Sequence, residues 1–220
     1  MLPRRTALLA ASFAALLSAA PAARALSLYD LVQGGGSFAS GNGDVTFSGF
    51  TGGVDGVPQA IATLLLEATP IGILDDGFWL HAPLVAWGGS DLTLDVHFKV
   101  QAAAGLGVAS AALSFLGFEH GDASAYAASE FEDTGLDAAG FPPATDSLAF
   151  PGTPAHLSVW EMLVAETGAV PGNIALALAL VHRFETASLP LPPAETPEPG
   201  SLLLLAGALA LLGRAGGRIG

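Results

Sequence analysis

The chain contains no cysteine among its 220 residues. Disulfides, thiolate nucleophiles and cysteine-ligated zinc are therefore excluded, and in an oxidising compartment the fold rests on packing or bound ions. Basic residues are nearly as scarce, with 7 Lys and Arg against 20 Asp and Glu. Arg4, Arg5, Arg24, Arg214 and Arg218 sit at the two ends, which leaves Lys99 and Arg183 for everything between Leu26 and Glu195. Nineteen of the acids lie in that stretch, Glu198 being the exception. Two minus nineteen gives a formal charge of −17 there, against −13 for the whole chain. Nucleic acid is excluded as a partner, because its affinity rests on phosphate neutralisation by Lys and Arg. Divalent cations and neutral or cationic polymers remain allowed.

Catalytic motifs are also missing. There is no Gly-x-Ser-x-Gly elbow, no Gly-x-x-x-x-Gly-Lys phosphate loop, no Gly-x-Gly-x-x-Gly dinucleotide turn and no His-Glu-x-x-His zinc helix. The expectation is a protein that is not an enzyme. A glycosidase, however, needs only two carboxylates facing each other across a cleft, and no linear motif shows that. No repeat with a period of roughly 20–50 residues is visible.

The two ends carry the clearest signals. Arg4 and Arg5 open a positively charged start, Ala7 to Ala20 is an apolar run, and Ala23-Arg24-Ala25 is a small-x-small cleavage site. Residues Met1 to Ala25 thus read as an export signal helix cut after Ala25. The pair Arg4-Arg5 followed by Thr6-Ala7-Leu8-Leu9 is also similar to a twin-arginine signal, so Sec and twin-arginine export both stay open. At the other end stand Pro197-Glu198-Pro199, Gly200-Ser201, the apolar block Leu202 to Leu212, and then Arg214 and Arg218. Ser201 to Leu212 is twelve residues, and as a helix at about 1.5 Å per residue it spans roughly 18 Å, well short of a hydrocarbon core of about 30 Å. By length it is a poor permanent anchor, with its arginines suited to the cytoplasmic headgroups.

This ordered tail, on a chain that begins with an export signal, resembles the PEP-CTERM sorting signal of Gram-negative bacteria. The resemblance implies recognition of Pro197, Glu198 and Pro199 by a membrane protease of the exosortase class. It further implies transient retention in the inner membrane through Leu202 to Leu212, with Arg214 and Arg218 as the basic tail, and cleavage near the motif. The mature protein would then reach the cell surface or extracellular matrix, with a structural or adhesive role linked to exopolysaccharide and biofilm. A plain C-terminal transmembrane helix is the competing reading of the same residues.

Between the ends, residues 26–189 form one domain by length, followed by a Pro-rich linker over 190–196 and the sorting signal over 197–220. Gly, Pro, Ser and Asp cluster between apolar runs, the punctuation of many short strands. A short turn or helix is expected at Ser27 to Val32, and strands at Val45 to Phe50, Ala60 to Thr69 and Phe78 to His81. Asp91 to Ala102 is the clearest strand, since Leu92, Leu94, Val96, Phe98 and Val100 alternate with Asp91, Thr93, Asp95, His97 and Lys99. Gly105 to Phe118, Ala123 to Phe131 and Leu157 to Ala165 follow as strands. Asn173 to Phe184, apolar on both faces, reads as a central strand with an Ala/Leu-rich helix as its rival. Seven or eight strands without strand–helix alternation predict an all-β chain, an antiparallel β-sandwich of the jelly-roll or immunoglobulin-like sort. The signal helix and the short apolar tail helix stand outside it.

Candidate binding residues are fewer. Trp79, Trp87 and Trp160 are the possible sugar-stacking aromatics, chiefly Trp79 and Trp87, which fall in a Gly- and Pro-rich region read as loop. This supports a second reading, a carbohydrate-binding module, in which tryptophan faces stack on sugar rings. A secreted hydrolase is a third. Glu130, Glu132 and Asp133, and separately Asp75-Asp76-Gly77, are acidic groups of the kind that bind Ca²⁺, although neither has EF-hand spacing and solvated loop acids explain both. His81, His97, His120, His156 and His182 are widely separated. For His97 and Asp95, on one strand face, a polar network is expected in preference to a metal site.

Overall fold

A computed structural model of the chain describes residues 26–132, 134–139 and 144–189. The expected export signal, the expected linker and sorting tail from Pro190 onward, and Asp133 lie outside the described residues.

Strand dominates the described chain, with two short helices among twelve strands. In order it runs β1 (Leu26–Ser27), α1 (Leu28–Gly34), β2 (Phe38–Ala39), β3 (Val45–Asp55), α2 (Gln59–Glu67), β4 (Pro70–Leu74), β5 (Gly77–Trp87) and β6 (Asp91–Ala102). It continues with β7 (Leu106–His120), β8 (Ser124–Phe131), β9 (Thr134–Ala139), β10 (Ala144–Ala149), β11 (His156–Glu166) and β12 (Ile174–Ser188). These make two six-stranded sheets, ordered β1-β4-β5-β12-β7-β10 and β2-β3-β6-β11-β8-β9. Every pairing is antiparallel. The architecture is therefore the expected antiparallel β-sandwich.

Local sequence explains the layers. In β6 the apolar set from Leu92 to Val100 faces inward and the set from Asp91 to Gln101 outward, as its period of two requires. The strand β12 lies between β5 and β7, the central place its two apolar faces demand. The inner faces meet in a phenylalanine cluster. Phe47 and Phe98 of the second sheet pack edge-on against Phe78 of the first, at 5.2 and 5.5 Å between centroids. Phe184 sits 5.5 Å from Phe47 across the same gap. Edge-to-face pairs of this sort contribute about 0.5–1.5 kcal/mol beyond their burial.

A polar bridge also crosses this core. Glu161 of β11 points inward and accepts a hydrogen bond from the Ser129 hydroxyl at 2.9 Å, while its other oxygen lies 2.8 Å from His182 Nδ1 on β12. The imidazole stacks on Phe184 at 4.3 Å between centroids.

One expected strand is a helix. Residues Ala60 to Thr69, read as a strand from their apolar run, form α2 instead. Ala62 and Leu66, four apart, are the buried pair, while Ile61 and Leu64 are 44% and 57% exposed, a helical stripe and not an alternation. The Pro58 carbonyl accepts from the amides of Ile61 and Ala62, so proline opens the helix. Thr69 closes it, its hydroxyl donating to the Leu65 carbonyl at 2.6 Å.

Candidate functional site

The outer face of the second sheet carries a row of residues set by strand register. Thr51 on β3 lies opposite His97 on β6, His97 opposite Trp160 on β11, and Trp160 opposite Glu130 on β8. Beside it runs a second row, Ser48, Lys99 and Ser158.

Within the first row the His97 and Trp160 rings stand parallel, 4° apart in plane and 5.5 Å between centroids. A single carboxylate holds both. Asp95, two residues before His97 on the same face, accepts from the Trp160 indole N–H at 3.0 Å and lies 3.2 Å from His97 Nε2. The His97 side chain is 54% exposed, so the pair borders solvent. The cost of ordering two aromatic side chains has thus been met by the fold before any ligand arrives.

A groove of about 370 Å³ opens on this pair, bordered by Gly49, Thr51, Lys99, Glu130 and Ser158. That volume lies at the small end of the range for ligand sites, about 300–1,000 Å³. Glu132, in the turn after β8, lines this groove and three adjoining hollows of about 290, 290 and 350 Å³. It holds a left-handed backbone angle of φ 49°, one of two such non-glycine positions among the described residues. Lys99 brings one of the domain's two cations to the same place, with Ser158, Thr51 and the carboxylates as further hydrogen-bonding groups.

The bulge that shapes one wall depends on glycine. Strand β3 shifts register between Ser48 and Thr51, and Gly52 next to it has φ 151° and presses against the backbone of Asp95. A Cβ at Gly52 would fall inside contact distance of the Asp95 carbonyl oxygen.

The remaining sequence candidates are dispersed. Trp79 lies in β5, half-buried, with its indole over Gly72 and its Nε1 without a hydrogen-bond partner among the described residues. Trp87 ends the same strand and is 67% exposed. Both are on the first sheet, away from the Trp160 groove. Asp76 is engaged by Arg183 at 2.9 and 2.8 Å, a bidentate pair. Among the described residues no three His, Asp or Glu side chains gather as a metal site, and no helix is long and apolar enough to cross a membrane. The missed feature is the pairing of Trp160 with His97. Asp95 and His97 share a strand face in the sequence, but only the register with β11 adds the tryptophan.

Ser129, Glu161 and His182 have the residue types of a hydrolytic triad without its geometry. Ser129 donates to Glu161 and not to the histidine, and the three residues are 0%, 1% and 0% exposed. They bridge the two sheets inside the core.

Tyr126 on β8 lies four residue pairs along from Trp160 in the β8–β11 register. Burial, followed by the Glu166 and Asp137 carboxylates, pushes its phenol above the ordinary value of 10.0. The folded state favours the neutral phenol. Its contribution to stability is intact below pH 10 and is lost as pH rises through the elevated folded value. Alkaline unfolding monitored by circular dichroism is expected to begin at higher pH in Tyr126→Phe than in the parent.

No family model matches the chain, and no curated protein matches it. Solved structures give distant likenesses. The module TmCBM61, determined with β-1,4-galactotriose, is 9% identical over 49% of this chain and 71% of that one, with a TM-score of 0.30. The N-terminal cellulose-binding domain of Cellulomonas fimi β-1,4-glucanase C is 10% identical over 66% of this chain and 91% of that one, with a TM-score of 0.24. The secreted serine protease VesC from Vibrio cholerae is 11% identical over 60% of this chain and 28% of that one, with a TM-score of 0.26. At these scores the likenesses say nothing of what this chain binds.

Proposed function

We propose that this protein binds a polysaccharide through the outer face of its second sheet, and that the chain displays this face at the cell surface. The observation that carries the reading is the Trp160–His97 pair, held parallel by Asp95 at the wall of a solvent-open groove. A sugar ring presents an apolar C–H face and a rim of hydroxyls. An aromatic wall flanked by Lys99, Glu130, Thr51 and Ser158 matches both needs, and the rings require no reordering on binding. The acidic surroundings favour neutral or cationic glycans over anionic ones.

The test is co-sedimentation of the exported protein with insoluble matrix from the producing cells and with a panel of neutral and amino-sugar polymers. Truncating a central aromatic anchor costs about 2 kcal/mol or more, so Trp160→Ala is expected to weaken binding by about 10- to 100-fold. Asp95→Ala, which frees both rings, is expected to weaken it by about 10-fold. Unchanged binding in a folded Trp160→Ala protein would remove the groove as the site.

Display at the surface rests on the two ends of the chain: export through Met1–Ala25, then exosortase recognition of Pro197-Glu198-Pro199 and release from the apolar block Leu202–Leu212. Intact mass and location, compared between cells with and without their exosortase, test this. Loss of the tail only where the enzyme is present, abolished by Glu198→Ala, supports sorting. A full-length chain retained in the membrane of both strains makes Leu202–Leu212 a plain anchor.

A further inference from the structure

The first sheet presents a different outer face. Register places Trp87, Ile174 and His120 in one row across β5, β12 and β7, and Val85, Leu176 and Phe118 in the next. His81, Ala179 and Leu116 follow, then Trp79, Val181 and Ser114. No carboxylate occurs at any of these positions, although the stretch from Leu26 to Glu195 carries nineteen acids. The acids of the paired outer rows on the other sheet include Asp55, Asp91, Asp95, Glu130 and Glu166. Trp87, Phe118, Val85 and Ile174 are 67%, 42%, 39% and 38% exposed.

We infer that this strip is the surface through which two copies of the chain pair, sheet face against sheet face. Three observations select that occupant. The first is chemical. A glycan laid on the strip would bury hydroxyls against Val85, Ile174, Leu176 and Leu116, where only the marginal imidazoles of His81 and His120 and the Ser114 hydroxyl can answer them, and unmet hydrogen bonds are costly. An apolar complement is required instead. The second is charge. Two copies whose Leu26–Glu195 stretch carries a formal charge of −17 approach each other only with their acids turned away, and this face turns away the acids of the opposite sheet. The third is area. With aromatic side chains of about 150–250 Å², the four exposed residues leave on the order of 400 Å² of apolar surface per copy. Two copies thus bring about 800 Å² from these residues alone. The half-buried neighbours Leu176, Leu116, Val181 and Trp79, with a polar rim, carry the total toward the 1,200–2,000 Å² of stable interfaces, about 1,600 Å² on average.

The strip is also well supported. Trp87 enters a turn in which Gly88 and Gly89 both have positive φ, 55° and 98°, and Ser90 Oγ both accepts from the Trp87 amide and lies 2.9 Å from its carbonyl. Thr167 ties this turn to the loop before β12, accepting from Gly89 and donating to the Ser90 carbonyl. Facing sheets pack about 10 Å apart, and a two-fold relation would bring each Trp87 against the partner's aliphatic rows.

The experiment is photo-crosslinking of the full chain in the producing cells, with p-benzoyl-phenylalanine in place of Phe118. The expected product is a species of twice the chain mass, with the link mapped by mass spectrometry to first-sheet residues of the same sequence. Trp87→Glu is expected to reduce it at least tenfold, and Val85→Lys likewise. Both positions are exposed, so the sandwich should tolerate the changes, which the circular dichroism of each variant checks. The crosslinker at Thr51, on the opposite sheet, should give no dimer. Crosslinks to glycan or to other proteins in place of a dimer would overturn the inference, as would a dimer undiminished in both variants.

Discussion

The substitution His182→Ala is expected to destabilise the sandwich by about 3–5 kcal/mol, a large share of the roughly 5–15 kcal/mol that holds a domain of this kind together. Glu161 is 1% exposed and has two partners in this interior, the Ser129 hydroxyl and the imidazole. Removing the imidazole leaves one carboxylate oxygen facing phenylalanine, with no route to water. It also opens a void beside Phe184, whose ring stacks on His182 at 4.3 Å. Replacing the whole bridge separates the two costs. Glu161→Met with His182→Leu and Ser129→Ala removes all three polar groups, the Ser129 hydroxyl that Glu161 accepts from included, and fills most of the space, so it is expected to lie close to the parent and well above the three single variants combined. Denaturant titration of each protein reads this directly. Equal losses in the single and triple variants would mean that the bridge stabilises in its own right and is not merely tolerated.

Gly52→Ala is expected to cost about 2–5 kcal/mol and to disturb glycan binding as well. Two constraints coincide at this residue. Its φ of 151° is one that side chains rarely adopt, and an added Cβ would collide with the Asp95 carbonyl oxygen. The only relief is to push β3 from β6, and Asp95 is the residue that orients Trp160 and His97. The neighbouring Gly53 is the matched control, since a Cβ there meets nothing within 4 Å. Gly53→Ala should fall within about 1 kcal/mol of the parent and bind normally. A Gly52→Ala protein as stable as Gly53→Ala would show that β3 can slide, and that the bulge does not position the site.

These two residues show where the sequence was readable and where it was not. The strand β6 matches its expected bounds because ten alternating residues leave no other face assignment. The central place of β12 follows from apolar side chains on both sides. Helix α2 is hidden in the sequence because Ala62 and Leu66, its buried pair, sit in a run so uniformly apolar that the four-residue spacing is masked. Strands β9 and β10 carry no strand signal of their own. They are six residues each, rich in Ala, Asp, Gly and Ser, and they exist because β8 and β7 offer them edges. At the candidate site, Asp95 and His97 were visible as face-sharing neighbours. Trp160 could be named only as one of three tryptophans, since its place opposite His97 depends on a register fixed 63 residues away in the chain. The inward turn of Glu161 toward His182 was invisible for the same reason.

The most direct test of the glycan reading uses the three tryptophans as reporters. Each indole N–H gives its own proton–nitrogen NMR signal, assignable by single substitution, and Trp160, Trp87 and Trp79 lie at separate places on the two sheets. Titration with an oligosaccharide cut from the polymer that the protein sediments with should shift the Trp160 indole and the amides of His97, Lys99 and Ser158, leaving Trp87 and Trp79 unmoved. Shifts confined to Trp87 and Phe118 would contradict the assignment of the second sheet, placing the sugar on the apolar strip of the first.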